Sequence, residues 1–356
     1  MTHKERIIAA VALKQVDRLP FWPKLDRAYE NAWGEPVSVF HERFGSDVIV
    51  GIRNSFTEVR KKTRYVDRTD GLDSEVRYET PYGTLSLRRR FDPASQSSHP
   101  LEHPVKTKGD LEIMTAWVED AEVVFDEDGC EAARQAQERI GGSGYTVENI
   151  GETSLMFLVE WLAGVEQSHY LLADYPGEVE ALFASLHRNF LKRFEIAAEH
   201  SPADSLHLTE NTSSTLISPA QYEKYCFPQI SAYGEIAKAG GKPLMLHMCG
   251  HLKALLPLLS RLPASSFEAF TSPTVGNTSL LDGRTACPDK CLIGGTNATV
   301  WLRPAGEIIR YLEGELDKLP HHRGIVLTSA GVMPPMCEPD TIAAVKGWLD
   351  RYPARM

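Results

Sequence analysis

Leu244-Met245-Leu246-His247-Met248-Cys249-Gly250 is a short apolar run that breaks at a His-x-Cys pair. The alternation of Leu, Met and Leu indicates a buried strand that ends near the pair. A helical pattern at 219–239 precedes this strand, and another at 252–262 follows it. A buried strand between two helices is typical of a parallel sheet that is covered by helices.

The same alternation of strand and helix recurs from about residue 140 onward. Further strands are predicted at 145–150, 205–208, 266–270, 291–294 and 324–328, and the quoted run is part of a strand at 243–246. Further helices are predicted at 176–200, 304–318 and 339–351. Two more apolar segments, 21–22 and 48–52, bring the strand count to eight, which favours a (β/α)8 TIM barrel. A doubly wound sheet is the alternative, but no strand is followed by G-x-G-x-x-G.

Residues 59–91 depart from this rhythm. Apolar and polar residues alternate at 76–78 and 85–87, and Pro81-Tyr82-Gly83 lies between them as a turn. This pattern predicts an inserted β-hairpin. Because no linker or low-complexity segment divides the chain, we interpret residues 1–356 as a single domain.

Composition excludes several classes of function. A net charge of −10 argues against a nucleic-acid-binding protein, which needs a basic face, and no apolar run approaches the roughly 20 residues of a membrane span. The amino terminus, Met1-Thr2-His3-Lys4-Glu5-Arg6, does not resemble a signal peptide. The six cysteines are therefore expected to be reduced, in a cytoplasmic protein.

A TIM barrel carries its active site at the carboxyl ends of its strands, which makes those positions the candidates for chemistry. Four of them, His247, Cys249, Glu268 and Cys337, offer an imidazole, a carboxylate and two thiols, the ligand types that zinc prefers. The alternatives are a hydrogen-bonded core histidine and buried apolar cysteines. His251 is an alternative ligand. Cys287 and Cys291 are interpreted as core residues.

Other polar and aromatic residues at the predicted barrel mouth are candidates for contact with a substrate. Glu152 and Glu210 follow strands directly, and Asn297 follows Ile293-Gly294-Gly295. Trp22 ends the first predicted strand. We expect Trp22, Glu152 and Asn297 to bind substrate and Glu210 to act in catalysis.

Several motifs together resemble the uroporphyrinogen decarboxylase superfamily, across nearly the whole chain. They are Asp17-Arg18-Leu19-Pro20, Leu216-Ile217-Ser218-Pro219, Leu246-His247-Met248-Cys249-Gly250, Phe270-Thr271-Ser272-Pro273-Thr274-Val275-Gly276-Asn277 and Ile293-Gly294-Gly295. The resemblance implies a (β/α)8 barrel, in agreement with the strand pattern.

The resemblance is closer to the methyltransferase branch than to the decarboxylase. The decarboxylase carries Met-Arg-Gln-Ala-Gly-Arg after the proline that corresponds to Pro20, whereas this chain has Phe-Trp-Pro-Lys-Leu-Asp-Arg at 21–27. Thiol methyltransferases of the family have a cysteine near the position of Gly331, whereas the nearest cysteine here is Cys337. The related cobalamin-independent methionine synthases bind zinc through His, Cys, Glu and Cys, which is the order found here.

The resemblance therefore implies a zinc-dependent methyltransferase that moves a methyl group between a small methylated substrate, such as an aryl methyl ether, and a corrinoid protein. Glu210 would protonate or orient the leaving group. The alternatives are a metal-free decarboxylase or lyase, a thiol-directed methyltransferase and a non-enzymatic corrinoid carrier. Arg88-Arg89-Arg90 on the hairpin is a candidate docking site for the partner, and the sequence allows a homodimer.

Overall fold

The computed structural model describes residues 1–94 and 96–356. Its amino-terminal part contains the first two strands of the main sheet. Its elements are α1 (His3–Val11), β1 (Phe21–Trp22), α2 (Arg27–Trp33), α3 (Val37–Phe44) and β2 (Val48–Gly51). α1 begins at a capping box, in which the Thr2 hydroxyl accepts from the Glu5 N–H and the Glu5 carboxylate accepts from the Thr2 N–H.

The chain then leaves the main sheet. The next elements are β3 (Phe56–Arg60), β4 (Arg64–Asp70), β5 (Asp73–Thr80), β6 (Gly83–Asp92), β7 (Ser97–Glu102), α4 (Lys108–Glu119), β8 (Ala121–Phe125) and α5 (Glu127–Ile140). β4 to β7 form an antiparallel sheet in chain order, and β3 pairs with β8. The hairpin predicted at 59–91 is the β5–β6 pair of this sheet. β4 carries mostly exposed side chains, β7 carries exposed and half-buried ones, and neither has an apolar alternation, so the sequence pattern did not indicate them.

The remaining elements alternate as predicted. They are β9 (Gly144–Gly151), α6 (Ser154–Phe157), α7 (Val165–Asp174), α8 (Pro176–His200), β10 (Ser205–Thr209), α9 (Pro219–Gln221), α10 (Phe227–Ala239), β11 (Leu244–His247), α11 (Leu256–Leu259), β12 (Ser266–Phe270), α12 (Leu280–Ala286), β13 (Cys291–Gly295), α13 (Ala305–Leu316), β14 (Ile325–Thr328) and α14 (Pro339–Leu349). Two π-helical segments, Leu158–Leu162 and Tyr222–Cys226, continue α6 and α9. The helix predicted at 252–262 is shorter, a 3-10 turn followed by α11.

The eight strands of the main sheet are parallel and follow the order β1-β14-β13-β12-β11-β10-β9-β2. At its two edges, the Asp47 N–H just before β2 donates to the Phe21 carbonyl of β1 at 2.8 Å. The sheet therefore curls into a nearly closed barrel, which confirms the predicted (β/α)8 class over a doubly wound sheet. Among the described residues, no helix has the length and apolar character needed to cross a bilayer.

Alternation along the strands decides which side chains point into the barrel. Met245 of β11, Ile293 of β13 and Val326 of β14 share one buried cluster with Ile7 of α1. Their neighbours along the strands, such as Leu246, belong to the larger cluster under the outer helices. Because the side-chain period of a strand is two residues, His247 lies on the same inner face as Met245, one layer closer to the carboxyl end.

Candidate functional site

Two imidazoles and one carboxylate meet inside the carboxyl end of the barrel. His207 of β10, His247 of β11 and Glu268 of β12 come from three adjacent strands, and their ligating atoms all lie within 4.8 Å of one another. His207 Nε2 is 4.0 Å from Glu268 Oε2, and His247 Nδ1 hydrogen-bonds to that same oxygen. Two His and one Glu form a donor set that catalytic zinc sites use, so these residues fit a zinc ion.

Burial and charge set the protonation of these three groups. Burial lowers the pKa of His207 to about 4, which keeps its imidazole neutral and able to bind a metal. For His247, burial lowers the pKa, but the adjacent Glu268 carboxylate outweighs it and raises the pKa to about 9. The Glu268 pKa is held well below its ordinary value, because Lys24 and His247 outweigh the effect of burial. The centre therefore contains a permanent carboxylate.

Cys249 lies beside this centre and is connected to a second cluster through Asn211. The Cys249 thiol donates to Asn211 Oδ1 at 3.3 Å, and Asn211 Nδ2 donates to Glu160 Oε2 at 2.8 Å. A hydrogen bond in which the His247 imidazole donates to the Cys249 sulfur also contributes to the raised pKa of His247. Asn211 thus orients one thiol and one carboxyl group at the same time.

The backbone around these residues is constrained. Asn211 has a φ of 43°, and Ala269 and Ala330 at the ends of two other strands have φ values of 57° and 64°. Non-glycine residues rarely adopt this left-handed region, and such strain concentrates at functional sites. A Cβ on Gly250 would lie 2.3 Å from the Ser213 Cβ. Glycine is therefore required after Cys249 by the close approach of the neighbouring loop.

Three glutamates form the second cluster, next to the candidate metal ligands. The Glu210 carboxylate accepts from the Thr153 hydroxyl at 3.0 Å, and the Trp161 indole donates to Glu152 Oε1 at 2.8 Å. Glu160 receives the bond from Asn211 described above. Glu152 Oε2 and Glu160 Oε1 are buried without a hydrogen-bond partner among the described residues.

The three carboxyl groups hold their protons unusually tightly. Burial raises the pKa of Glu210 to about 8, against the hydrogen bonds from Thr153. Burial and the nearby Glu160 raise the pKa of Glu152 to about 9, and burial raises that of Glu160 to about 7. Near neutral pH this cluster can donate protons, which ordinary glutamates cannot do.

Two π-helical segments among the described residues flank this cluster. Leu158–Leu162 carries Glu160 and Trp161, and Tyr222–Cys226 brings the Cys226 sulfur 3.3 Å from the Thr153 hydroxyl. A π-helical turn changes the direction of the side chains that follow it and often occurs at functional sites. The position of Glu160 thus depends on a local irregularity that has no simple signature in sequence.

The structure brings some of the predicted residues together and leaves others apart. His247 and Glu268 are in contact, Cys249 is next to His247, and Glu210 and Glu152 share one cluster. Cys337 is instead buried in the large core cluster, and burial raises its thiol pKa to about 12. Its role as a ligand stays a prediction.

The two remaining residues that we expected to bind substrate have defined partners. The Trp22 ring lies 5.4 Å from the Lys24 ammonium, which contacts Glu268 of the candidate metal centre. The Asn297 amide donates to the Pro273 carbonyl at 2.8 Å, and its oxygen caps the 3-10 segment Ala298–Leu302. Both polar groups of Asn297 therefore support loops, and its contact with a substrate also stays a prediction.

Sequence reasoning missed four residues of this region: His207, Lys24, Glu160 and Asn211. His207 had a readable signal, because it stands between Leu206 and Leu208 in a predicted strand and so points into the barrel. Lys24 reaches the centre from a loop, and its Nζ lies 2.9 Å from Glu268 Oε1 across 244 positions of sequence. Nothing in its local sequence indicates that contact.

Comparison with known proteins identifies relatives of the fold. A family model described as uroporphyrinogen decarboxylase (URO-D) matches residues 154–352, more than half of the chain. A methyltransferase from Methanosarcina mazei has a similar structure, with a TM-score of 0.61 and 13% identity over 98% of each chain. A B12-independent methionine synthase from Shewanella sp. W3-18-1 gives a TM-score of 0.46 and 10% identity over 90% of this chain and 87% of its own. No curated protein sequence matches this chain.

Proposed function

This chain belongs to the uroporphyrinogen decarboxylase family, and we propose that it is a zinc-dependent methyltransferase of that superfamily. It would move a methyl group between a small molecule methylated on oxygen or nitrogen, such as an aryl methyl ether, and the cobalt of a corrinoid protein. The observation that carries the proposal is the meeting of His207, His247 and Glu268 beside three proton-holding glutamates.

His207, His247 and Glu268 would hold the zinc ion, and Cys249, which hydrogen-bonds with His247, is a further donor beside them. Zinc in such a site supplies a Lewis acid for the heteroatom that carries the methyl group. Binding through Cys337 would require the loop after β14 to move, since its thiol is buried in the core cluster. The four-ligand set predicted from sequence therefore requires a change of loop conformation, whereas a site made of His207, His247 and Glu268 does not.

The carboxyl cluster would donate a proton to the heteroatom that loses the methyl group. When the methyl group departs, the electron pair of its bond to oxygen or nitrogen stays on that heteroatom, which then needs a proton. Glu210 is mostly protonated near neutral pH and Glu160 is about half protonated, and both lie next to the candidate metal ligands. Either can supply that proton and take one back when the transfer runs in the opposite direction.

The inserted sheet is the candidate docking surface for the corrinoid protein. Tyr82 at its turn is 76% exposed. The basic run is not free, however. Arg90 forms two hydrogen bonds with Asp73 at 2.7 and 2.9 Å, and Arg88 lies 3.9 Å from Glu102. The surface is therefore of mixed charge, and shape and apolar contact would contribute more to docking than net attraction would.

A spectral assay tests the proposed activity. Cob(I)alamin is incubated with the protein and a panel of methyl ethers, methylamines and methyl thioethers, and methylcobalamin formation is followed. Activity that requires His247 and stoichiometric zinc supports the proposal. Release of CO2 from a carboxylated substrate by metal-free protein would support the decarboxylase alternative instead.

The class of donor separates the two methyltransferase hypotheses. Methyl transfer from ethers or amines fits a site in which carboxyl groups supply a proton to the leaving heteroatom. Transfer confined to thioethers or thiols would favour the thiol-directed alternative, in which zinc binds a thiolate.

A further inference from the structure

Lys24 is held at the candidate metal centre by contacts on both sides of its side chain. Its ammonium is 2.9 Å from Glu268 Oε1 and 5.4 Å from the Trp22 ring centroid, and the side chain is only 24% exposed. The backbone of Lys24 is also fixed, since its carbonyl accepts from the Met333 N–H at 2.8 Å. Lys24 is therefore an ordered component of the candidate metal centre.

The Glu268 carboxylate has partners at both oxygens. Lys24 contacts Oε1, and His247 contacts Oε2. Glu268 is 2% exposed, so its charge needs a compensating cation, and an unpaired carboxylate there would be strongly unfavourable. A divalent cation bound by Glu268 would face the Lys24 ammonium across the same carboxylate, where two positive charges repel each other in a medium of low dielectric.

We propose that Lys24 sets the metal affinity of the His207–His247–Glu268 centre by competing with the divalent cation for Glu268. This inference rests on the metal site of the proposed function and goes beyond it. The ammonium neutralises Glu268 and keeps the ligands together, and a metal ion must share the carboxylate with it or displace it. Because the Met333 N–H holds the Lys24 carbonyl, displacement requires the long side chain to swing away.

The test is a comparison of zinc dissociation constants, measured by competition with a chromophoric chelator. Lys24→Met removes the charge and keeps most of the apolar stem, so zinc should bind about tenfold more tightly or better. Lys24→Arg keeps the charge and should stay within about threefold of the wild type. Lys14→Met, at an exposed lysine, is the matched control and should change nothing.

The outcomes are distinct. Zinc affinity that is unchanged or weaker in Lys24→Met overturns the inference, because Lys24 would then only support the site. His247→Ala should abolish zinc binding. If His247→Ala binds zinc as tightly as the wild type does, or if neither the wild type nor the Lys24 variants bind zinc, both this inference and the proposed metal centre fail. Thermal unfolding of each variant confirms that the compared proteins are folded.

Discussion

Replacing Glu210 by Gln should alter how the stability of this protein depends on pH. The Glu210 side chain is fully buried, and its pKa is about 8 in the folded protein against an ordinary value of 4.5. The folded protein thus holds this proton more tightly than the unfolded chain does. Between these two pKa values unfolding releases a proton from Glu210, so the contribution of Glu210 to stability falls as the pH rises through this window and is constant outside it.

The size of the effect follows from the difference between the two pKa values. Each unit corresponds to about 1.4 kcal/mol, so the full window amounts to about 5 kcal/mol of unfolding free energy at most. Water that enters the barrel mouth would reduce the desolvation of Glu210 and so the size of the effect. We expect the wild type to lose at least about 2 kcal/mol more unfolding free energy across the window than Glu210→Gln does. Gln keeps the size and an oxygen acceptor for Thr153 but cannot ionise. The variant should therefore lose stability more slowly than the wild type as the pH rises.

Urea unfolding followed by circular dichroism at about one-unit pH steps from roughly pH 5 to roughly pH 9 measures this difference. Glu112→Gln, at an exposed glutamate of α4, serves as the control and should follow the wild type. Parallel curves for the wild type and Glu210→Gln would refute the reasoning, since Glu210 would then ionise as an ordinary glutamate. Its assignment as a proton donor would fail with it.

Four further predictions concern the metal, the proton and the partner. His207→Ala should weaken zinc binding about tenfold or more in a chelator competition; undiminished affinity would remove His207 from the ligand set. Cys249→Ser should lose zinc and methyl transfer together, and full zinc content by elemental analysis would exclude its thiolate as a ligand. Because the Glu160 pKa is about 7, transfer limited by this acid should fall about tenfold from roughly pH 6 to roughly pH 8, and Glu160→Gln should flatten that profile. Reversing Arg88 and Arg90 to Glu should slow transfer to the corrinoid protein at low salt by a few-fold, with transfer to free cobalamin unchanged; equal losses with both acceptors would refute docking at this surface.

The fold was largely predictable because its signals are local. The apolar strands of the carboxyl-terminal two thirds are bounded by turns and helices, and β12 (Ser266–Phe270) coincides with its prediction. The inserted sheet was predicted only in part. Its central strands bury Val76 and Leu87, whereas β4 and β7 are edge strands whose exposed polar side chains carry no alternation.

Within the candidate site, the sequence by itself determined the residues that end strands. His247, the last residue of β11, and Glu268, within β12, were identified because a barrel collects the carboxyl-terminal halves of its strands at one rim, whatever the details of packing. His207 could have been identified in a similar way, because side chains alternate along a strand and His207 therefore points into the barrel. The contact between His247 and Glu268 confirms that these two residues of adjacent strands meet.

Only the tertiary structure decided the rest of the site. It joined Lys24 to Glu268, placed Glu160 on a π-helical turn against Asn211, and buried Cys337 in the core. It also raised the pKa of Glu210, since that shift comes from the removal of water by surrounding elements. These features depend on loops and on burial, which arise from contacts between residues far apart in the chain. Strand identity depends on neighbouring residues, and so it can be read from the sequence.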